Sequence, residues 1–407
     1  MLKLFSLRTF SNSWAIKPSL NLNFAGARAL DPRITFTRSS VGTYVGRDGI
    51  IKTASANEPR FDHDPITLES LGLLIEESRT NYNGATGADT DIGRMGNQPG
   101  STSNTIAPNG ENTAIIPVPN ATADRFEAQI DSSIQSTDEV WTFSWFEKNI
   151  AFSGTEPIAV PEGHVNLSNV TDAQLIGTYP NGWKRWSVTA TITDGSITSR
   201  FRYYMGASIG IGNNNVAAFW GHQSEKGSFA TSYIRGNGVS VTRGSDNAKI
   251  TGTNFSDFYN NQESTIVCNF TQNAPTSSSA SGNERLYSFV KDSGADTRID
   301  YVSYNDYHPY IAADGSAVAN LSGFTHLYGG LENKTAVRVK ENDFAVSFNG
   351  TIESTDSSGT WPPTTNNIIE LFIGSQTTNT SNLNGHIKQF SYYTKALPNT
   401  QLQLLTS

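Results

Sequence analysis

Cysteine is nearly missing from this 407-residue chain. Cys268 stands alone, which excludes an intramolecular disulfide and any metal site built from cysteines. Charge is scarce as well, at 16% of residues, and it leans acidic, with 29 Lys and Arg against 37 Asp and Glu for a formal net charge of −8. That balance argues against nucleic acid as a partner, because phosphate binding needs a positive face. No run approaches 18 consecutive apolar residues, so neither a transmembrane helix nor membrane insertion is expected. The Ala, Leu, Glu and Lys content of long helices is also lacking. The six histidines are scattered, and no HExxH, P-loop, GxSxG or EF-hand pattern occurs. No catalytic residue, cofactor or metal is therefore expected. His63, between Asp62 and Asp64, reads as part of a polar turn before Pro65.

What the chain has is Ser, Thr, Asn and Gly around short apolar–polar alternations, with 11% aromatic residues to fill cores. Residues 140–146, 182–192, 200–205 and 216–220 read as strands, as do 264–271, 285–290, 336–339, 343–350 and 369–374. Asp48-Gly49 and Asn349-Gly350 are hairpin turns, and residues 50–54 return as the second arm of the first hairpin. One short helix is predicted near the end, over residues 398–405, capped by Asn399 or Thr400. The fold expected is all-β: two lectin-like, jelly-roll β-sandwich domains preceded by an extended N-terminal arm and a hairpin. The divisions are an arm at 1–30, a hairpin module at 31–75, a first sandwich at 76–246 and a second at 253–407. Residues 82–125 read as long surface loops around short strands, and the Ser/Thr-rich 274–282 as a loop inside the second sandwich.

Trp141, Trp145, Trp183, Trp186 and Trp220 lie in predicted strands and are expected mostly in the core. Trp183 and Trp186, three residues apart, must face opposite sides of a regular strand. Cys268, inside an alternating run, reads as a small buried hydrophobe.

Three resemblances follow from quoted motifs. Residues 31–81 carry Asp31-Pro-Arg-Ile-Thr-Phe-Thr-Arg38, Arg60-Phe-Asp-His-Asp-Pro65 and Leu71-Gly-Leu-Leu-Ile-Glu-Glu-Ser-Arg-Thr-Asn81, in the order of a module recurrent in tailed-bacteriophage structural proteins. Trp220-Gly-His-Gln-Ser-Glu-Lys-Gly-Ser-Phe-Ala-Thr-Ser-Tyr-Ile234 resembles the closing strand of jelly-roll carbohydrate-binding modules. Phe348-Asn-Gly350, Leu371-Phe-Ile-Gly374, Asn384-Gly-His-Ile387 and Ala396-Leu-Pro398 are similar to the C-terminal half of concanavalin-A-like, laminin-G-type sandwiches.

These resemblances imply a virion protein: a tail fibre, spike or adhesin, attached by its N-terminus, trimeric, and recognising host-surface polysaccharide. A purely structural head-decoration, collar or tail component is the alternative, and a polysaccharide-degrading enzyme the second alternative. The N-terminal stretch superficially fits a mitochondrial presequence, and it fails as a secretory signal because Arg8 interrupts the apolar run. It is read as a docking arm for another virion protein, through Leu4, Phe5, Leu7, Phe10 and Trp14. Glycan hydrolysis needs two carboxylates across a cleft. Glu76, Glu77 and Glu225 instead sit in segments that resemble structural strands and turns, so the chain is read as not an enzyme. Two loops of the second sandwich are the ligand candidates, through Tyr307, Tyr310 and Trp361. Trp361, followed by two prolines, is either an exposed sugar platform or a plug against a neighbouring subunit.

Overall fold

The computed structural model describes residues 16–407 apart from 83–93, 97–100, 119–124, 152–158, 162–163, 206–215, 237–238, 274–283, 292–296, 303–307, 323–328, 365–366 and 377–380. Among the described residues nearly all of the regular structure is strand, the exceptions being a 3-10 turn at Pro180–Gly182, a single turn of helix at Thr253–Ser256 and a short helix at Asn399–Thr406. The proposed loop at 274–282 and the docking residues Leu4, Phe5, Leu7, Phe10 and Trp14 lie outside the described residues.

The first sandwich packs a seven-stranded sheet on a four-stranded one. Val140–Ala151 runs through the larger sheet between Trp183–Ile192 and Val216–Lys226, antiparallel to both. The two-residue period of that strand sends Trp141, Phe143 and Trp145 inward to meet Trp186, Val188, Ile192 and Phe201. Phe146, Trp183 and Trp220 face the other way, where Ile51 of the hairpin and Tyr233 cover them. All five tryptophans are thus buried, and Trp183 and Trp186 do point to opposite faces. Within 82–125 the short strands Ser101–Thr105 and Ala114–Val118 pair at one edge of this sheet.

The second sandwich sets an eight-stranded sheet against a seven-stranded one. Glu263–Gln272 lies between Glu332–Lys340 and Gly385–Tyr393 and directs Ile266, Cys268 and Phe270 into the core. Cys268 is fully buried, and burial pushes its thiol pKa well up. Asn349 and Gly350 turn the next hairpin with φ of 44° and 86°, the left-handed pair that a two-residue connection needs. Asn399–Thr406 packs Leu402 outside the eight-stranded sheet, against Ala336 and Ala345. Its N-cap is Pro398 with no side-chain cap, which corrects the expected cap; Asn399 Oδ1 instead accepts from Arg338 Nη1 at 2.8 Å.

Residues 16–75 do not form a separate arm and module. Leu20–Asn23 pairs with Gly385–Tyr393, Thr35–Thr37 with Asn247–Thr251, and Ser70–Ile75 again with Gly385–Tyr393. Leu20, Leu22 and Phe24 sink into the second core. The physical reason is backbone pairing: strands from 253–407 alone would leave these edges and the core above them open. At Gly72, with φ of 93°, a Cβ would fall 2.2 Å from the Ile387 carbonyl oxygen, so the quoted Leu71-Gly72 motif marks a close strand approach. The chain then leaves the second sandwich, builds the first, and returns. Its outgoing strand Arg79–Asn81 pairs with its returning strand Val241–Arg243. The first sandwich is therefore an insertion within the second.

Where the chain crosses twice, charges are buried. Asp246 holds Arg38 at 2.9 Å on one carboxylate oxygen and Arg60 on the other. Glu76 pairs with Arg60 at 2.8 Å and Arg243 at 3.1 Å, and accepts from the Ser232 backbone at 2.7 Å. Burial would raise the Glu76 carboxyl, but the charges of Arg243 and Arg60 overcome it and hold the group well below the usual carboxylate range. Asn81 knits the same junction, donating to the carbonyls of His222 and Ile234 and accepting from Ser224 N at 3.1 Å. Glu225 accepts from Thr231 N at 3.0 Å. The polar residues of the two junction motifs are thus used to fasten chain to chain, as the structural reading of these acids expected.

Candidate functional site

The structure separates two of the three named aromatic candidates, Trp361 and Tyr310. Trp361 is 2% exposed and belongs to the core of the second sandwich, which corrects its reading as a platform or as a plug against a neighbouring subunit. A polar loop carries it, but its large apolar ring is most stable out of water, in the core that also holds Phe344 and Ile368. Tyr310, on the strand His308–Ala313, is half-buried, and the Arg298 guanidinium lies 4.8 Å from its ring centroid, covering one face. Tyr307 lies outside the described residues. These residues form no common binding surface among the described residues.

An open groove does exist nearby. It begins where the chain passes from one sheet of the second sandwich to the other, between Asn247–Thr251 and Glu263–Gln272. Gly252 turns the chain with φ of 61°, and the one-turn helix Thr253–Ser256 follows. Phe255 and Phe258 anchor the crossing in the core. Tyr259 stacks on Phe255 with ring centroids 4.7 Å apart and lines the groove. Asn260 is locked in place: its backbone N–H donates to the Tyr392 hydroxyl at 3.1 Å, and its side-chain amide donates to the Thr394 carbonyl at 2.9 Å.

The opposite wall is residues 367–370, the downstream end of the Trp361 loop, fixed by the Ile369 N–H donating to the Val290 carbonyl at 3.0 Å. Ile369 is 53% exposed and joins Phe255, Tyr259 and Ile368 as the apolar part of the lining. The groove is about 1030 Å³, at the upper end of the roughly 300–1,000 Å³ of small-molecule sites. Thr251, Thr253, Ser256, Asn261, Asn367 and Thr394 supply hydroxyl and amide groups along it. Its two charged lining residues, Lys395 and Glu370, each have an opposite charge beside them, Glu263 at 2.9 Å and Lys249 at 3.8 Å. The hydrogen bond from Lys395 leads the causes that hold the Glu263 carboxyl below its ordinary value. The Tyr259 hydroxyl is buried, has no hydrogen-bond partner among the described residues, and is pushed well above its ordinary pKa by burial.

Sequence reasoning did not find this groove. The signals available were the i, i+4 spacing of Phe255 and Tyr259 and the asparagine pair 260–261, neither of which is distinctive in a chain this rich in Asn and aromatic residues.

One other arrangement has the outline of nucleophilic chemistry. His386 lies 3.2 Å from the Thr271 hydroxyl through Nδ1 and 2.8 Å from Asp62 through Nε2. Thr271 is only 4% exposed and sits directly across the strand pair from His386, so no substrate reaches its hydroxyl. The chain Thr271–His386–Asp62 ties three strands together. His63 Nδ1 faces the Val45 carbonyl at 3.2 Å, and Asp62 Oδ1 accepts from Val45 N at 2.6 Å, so this turn is fastened to the adjacent hairpin.

No protein-family model matches the sequence, and no curated protein matches it. Among solved structures, the chain is similar to the CBM40 domain of the Ruminococcus gnavus IT-sialidase, at 15% identity and a TM-score of 0.30, over 36% of this chain and 84% of that one. It is similar to domain 4 of AbnA, a GH43 extracellular arabinanase from Geobacillus stearothermophilus, in complex with arabinotriose, at 15% identity and a TM-score of 0.33, over 44% and 82%. For the Trypanosoma rangeli sialidase the values are 15% identity and 0.30, over 39% of this chain and 25% of that one.

Proposed function

We propose that this chain is a tail fibre, spike or adhesin of a tailed bacteriophage that holds host-surface glycan in the groove between residues 251–261 and 367–370. The observation that carries the glycan reading is the lining of that groove. Sugar rings offer hydroxyls at their rim and apolar C–H faces. The groove offers amides and hydroxyls beside the Tyr259 ring and the exposed Ile369 side chain. The virion reading is supported by the ordered motifs of residues 31–81 and by the apolar N-terminal residues from Leu4 to Trp14. The protein acts without catalysis in this proposal: Glu370 is the one carboxylate among the described lining residues, whereas glycoside hydrolysis pairs two at roughly 5–9.5 Å.

Probing a glycan array of bacterial surface polysaccharides with the full chain tests the binding half. Immunogold labelling of intact virions tests the other. The proposal expects saturable binding to the array and label on the particle. Silence on the array with label on the particle selects the second reading, a purely structural virion component. The buried ion cluster at the double crossing favours that reading, because it fastens the two sandwiches into a spacer.

A further inference from the structure

We infer that the groove selects uncharged glycan over acidic glycan, a deepening that rests on the glycan reading of the same site. Acidic sugars carry carboxylates, and proteins hold carboxylates with cations, above all with the planar fork of arginine. No arginine is among the described lining residues. The one lining cation, Lys395, has its ammonium 2.9 Å from Glu263 Oε1, so an incoming carboxylate has to displace an existing ion pair. Glu263 Oε2 also accepts from Ala396 N at 3.3 Å, which fixes that carboxylate beside the lysine.

Across the groove, Glu370 adds a carboxylate, with Lys249 at 3.8 Å beside it and turned towards the Phe372 ring, 5.6 Å from its centroid. An acidic sugar therefore meets the Glu370 carboxylate in the lining, has Glu263 beside Lys395, and finds no uncommitted ammonium among the described lining residues. A neutral sugar meets none of these costs. Its hydroxyls exchange water for the side-chain amides of Asn261 and Asn367 and the hydroxyls of Thr253 and Ser256, groups that both donate and accept. Recognition by such groups carries little charge, so it responds weakly to salt.

The test titrates the full chain with neutral polysaccharides (dextran, mannan and galactan) and with acidic ones (polygalacturonate and polysialic acid). Each titration is run at about 50 mM and about 500 mM NaCl, a range over which screening of exposed charges changes strongly. Ser256→Trp and Thr253→Trp, both at exposed positions, fill the groove without entering the core. The expected result is saturable binding of a neutral polymer that changes by less than about twofold with salt and weakens at least about tenfold in both variants. Binding confined to the acidic polymers, falling steeply with salt and blocked by both variants, overturns the inference while leaving the glycan reading of the groove standing. Binding of neither class, or neutral binding unaffected by both variants, overturns the inference together with that reading.

Discussion

Arg38 and Asp246, 208 residues apart in the chain, meet across 2.9 Å with neither side chain exposed to solvent. The pair closes the point at which the chain leaves one sandwich and returns from the other. Asp246 also carries Arg60 and accepts the Glu76 backbone N–H at 2.9 Å, so one carboxylate serves two guanidinium groups and a backbone donor. Asp246→Ala takes from Arg38 the carboxylate it pairs with and leaves Arg60 with Glu76 alone. Removing one member of a buried ion pair costs about 3–5 kcal/mol. Urea unfolding of the variant, followed by tryptophan fluorescence, is expected to show a loss of that order. A change below about 0.5 kcal/mol, the range of an ordinary surface substitution, contradicts the assignment.

Truncation separates the paired N-terminal strand from the residues before it. Removing residues 1–15 spares the pairing of the strand Leu20–Asn23 with Gly385–Tyr393. Removing residues 1–24 also takes Leu20, Leu22 and Phe24 from the second core, where one buried leucine alone is worth about 2–5 kcal/mol. The longer deletion is expected to lower the unfolding midpoint sharply or to yield insoluble protein, and the shorter one to do neither. Equal midpoints for the two deletions contradict the strand pairing.

Trp361→Ala is a core deletion and not the loss of a sugar platform. Its expected effect is destabilisation by about 3–5 kcal/mol, measured by denaturant unfolding. An unchanged midpoint returns the side chain to the surface and contradicts its burial.

Stability should fall on mild acidification. Burial lowers His222 from the ordinary histidine value to about 3, and burial with the Arg202 charge lowers His164 to about 4. The unfolded chain takes up these protons as pH drops through about 6.5, while the folded chain does not until lower pH, so folding is progressively opposed below that point. The fully buried His222 contributes a slope of up to about 1.4 kcal/mol per pH unit. Glu76, held as a carboxylate below its ordinary value, adds a further loss only once pH falls below the unfolded carboxyl value of about 4.3. Unfolding midpoints at pH 7 and pH 5 check this: the lower pH is expected to give the lower midpoint, and His222→Gln to narrow the gap. Equal or higher stability at pH 5 contradicts it.

Much of the fold was legible because it is local. The two-residue alternation of 140–146 and 264–271, and the Asn349-Gly350 turn, declare strands and a hairpin without reference to distant sequence. The joining of Leu20–Asn23 to Gly385–Tyr393 was not legible, because nothing within a strand's own period names a partner some 370 residues away. Trp361 misled for a related reason. Two prolines and a polar neighbourhood describe the backbone path, whereas burial of the side chain depends on a core assembled from distant strands. The groove escaped for the same cause, since its walls are 251–261 and 367–370 and neither is distinctive alone.

The central claim is that the groove beside Tyr259 and Ile369 holds glycan. Its most direct test is the affinity of the purified full chain for host-surface polysaccharide by isothermal titration, with and without Ser256→Trp. A binding anchor is commonly worth about 2 kcal/mol or more, and 1.4 kcal/mol is tenfold. The account predicts that filling the groove weakens binding by at least about tenfold while the unfolding midpoint stays where it was. Undiminished affinity in a variant that folds normally contradicts it.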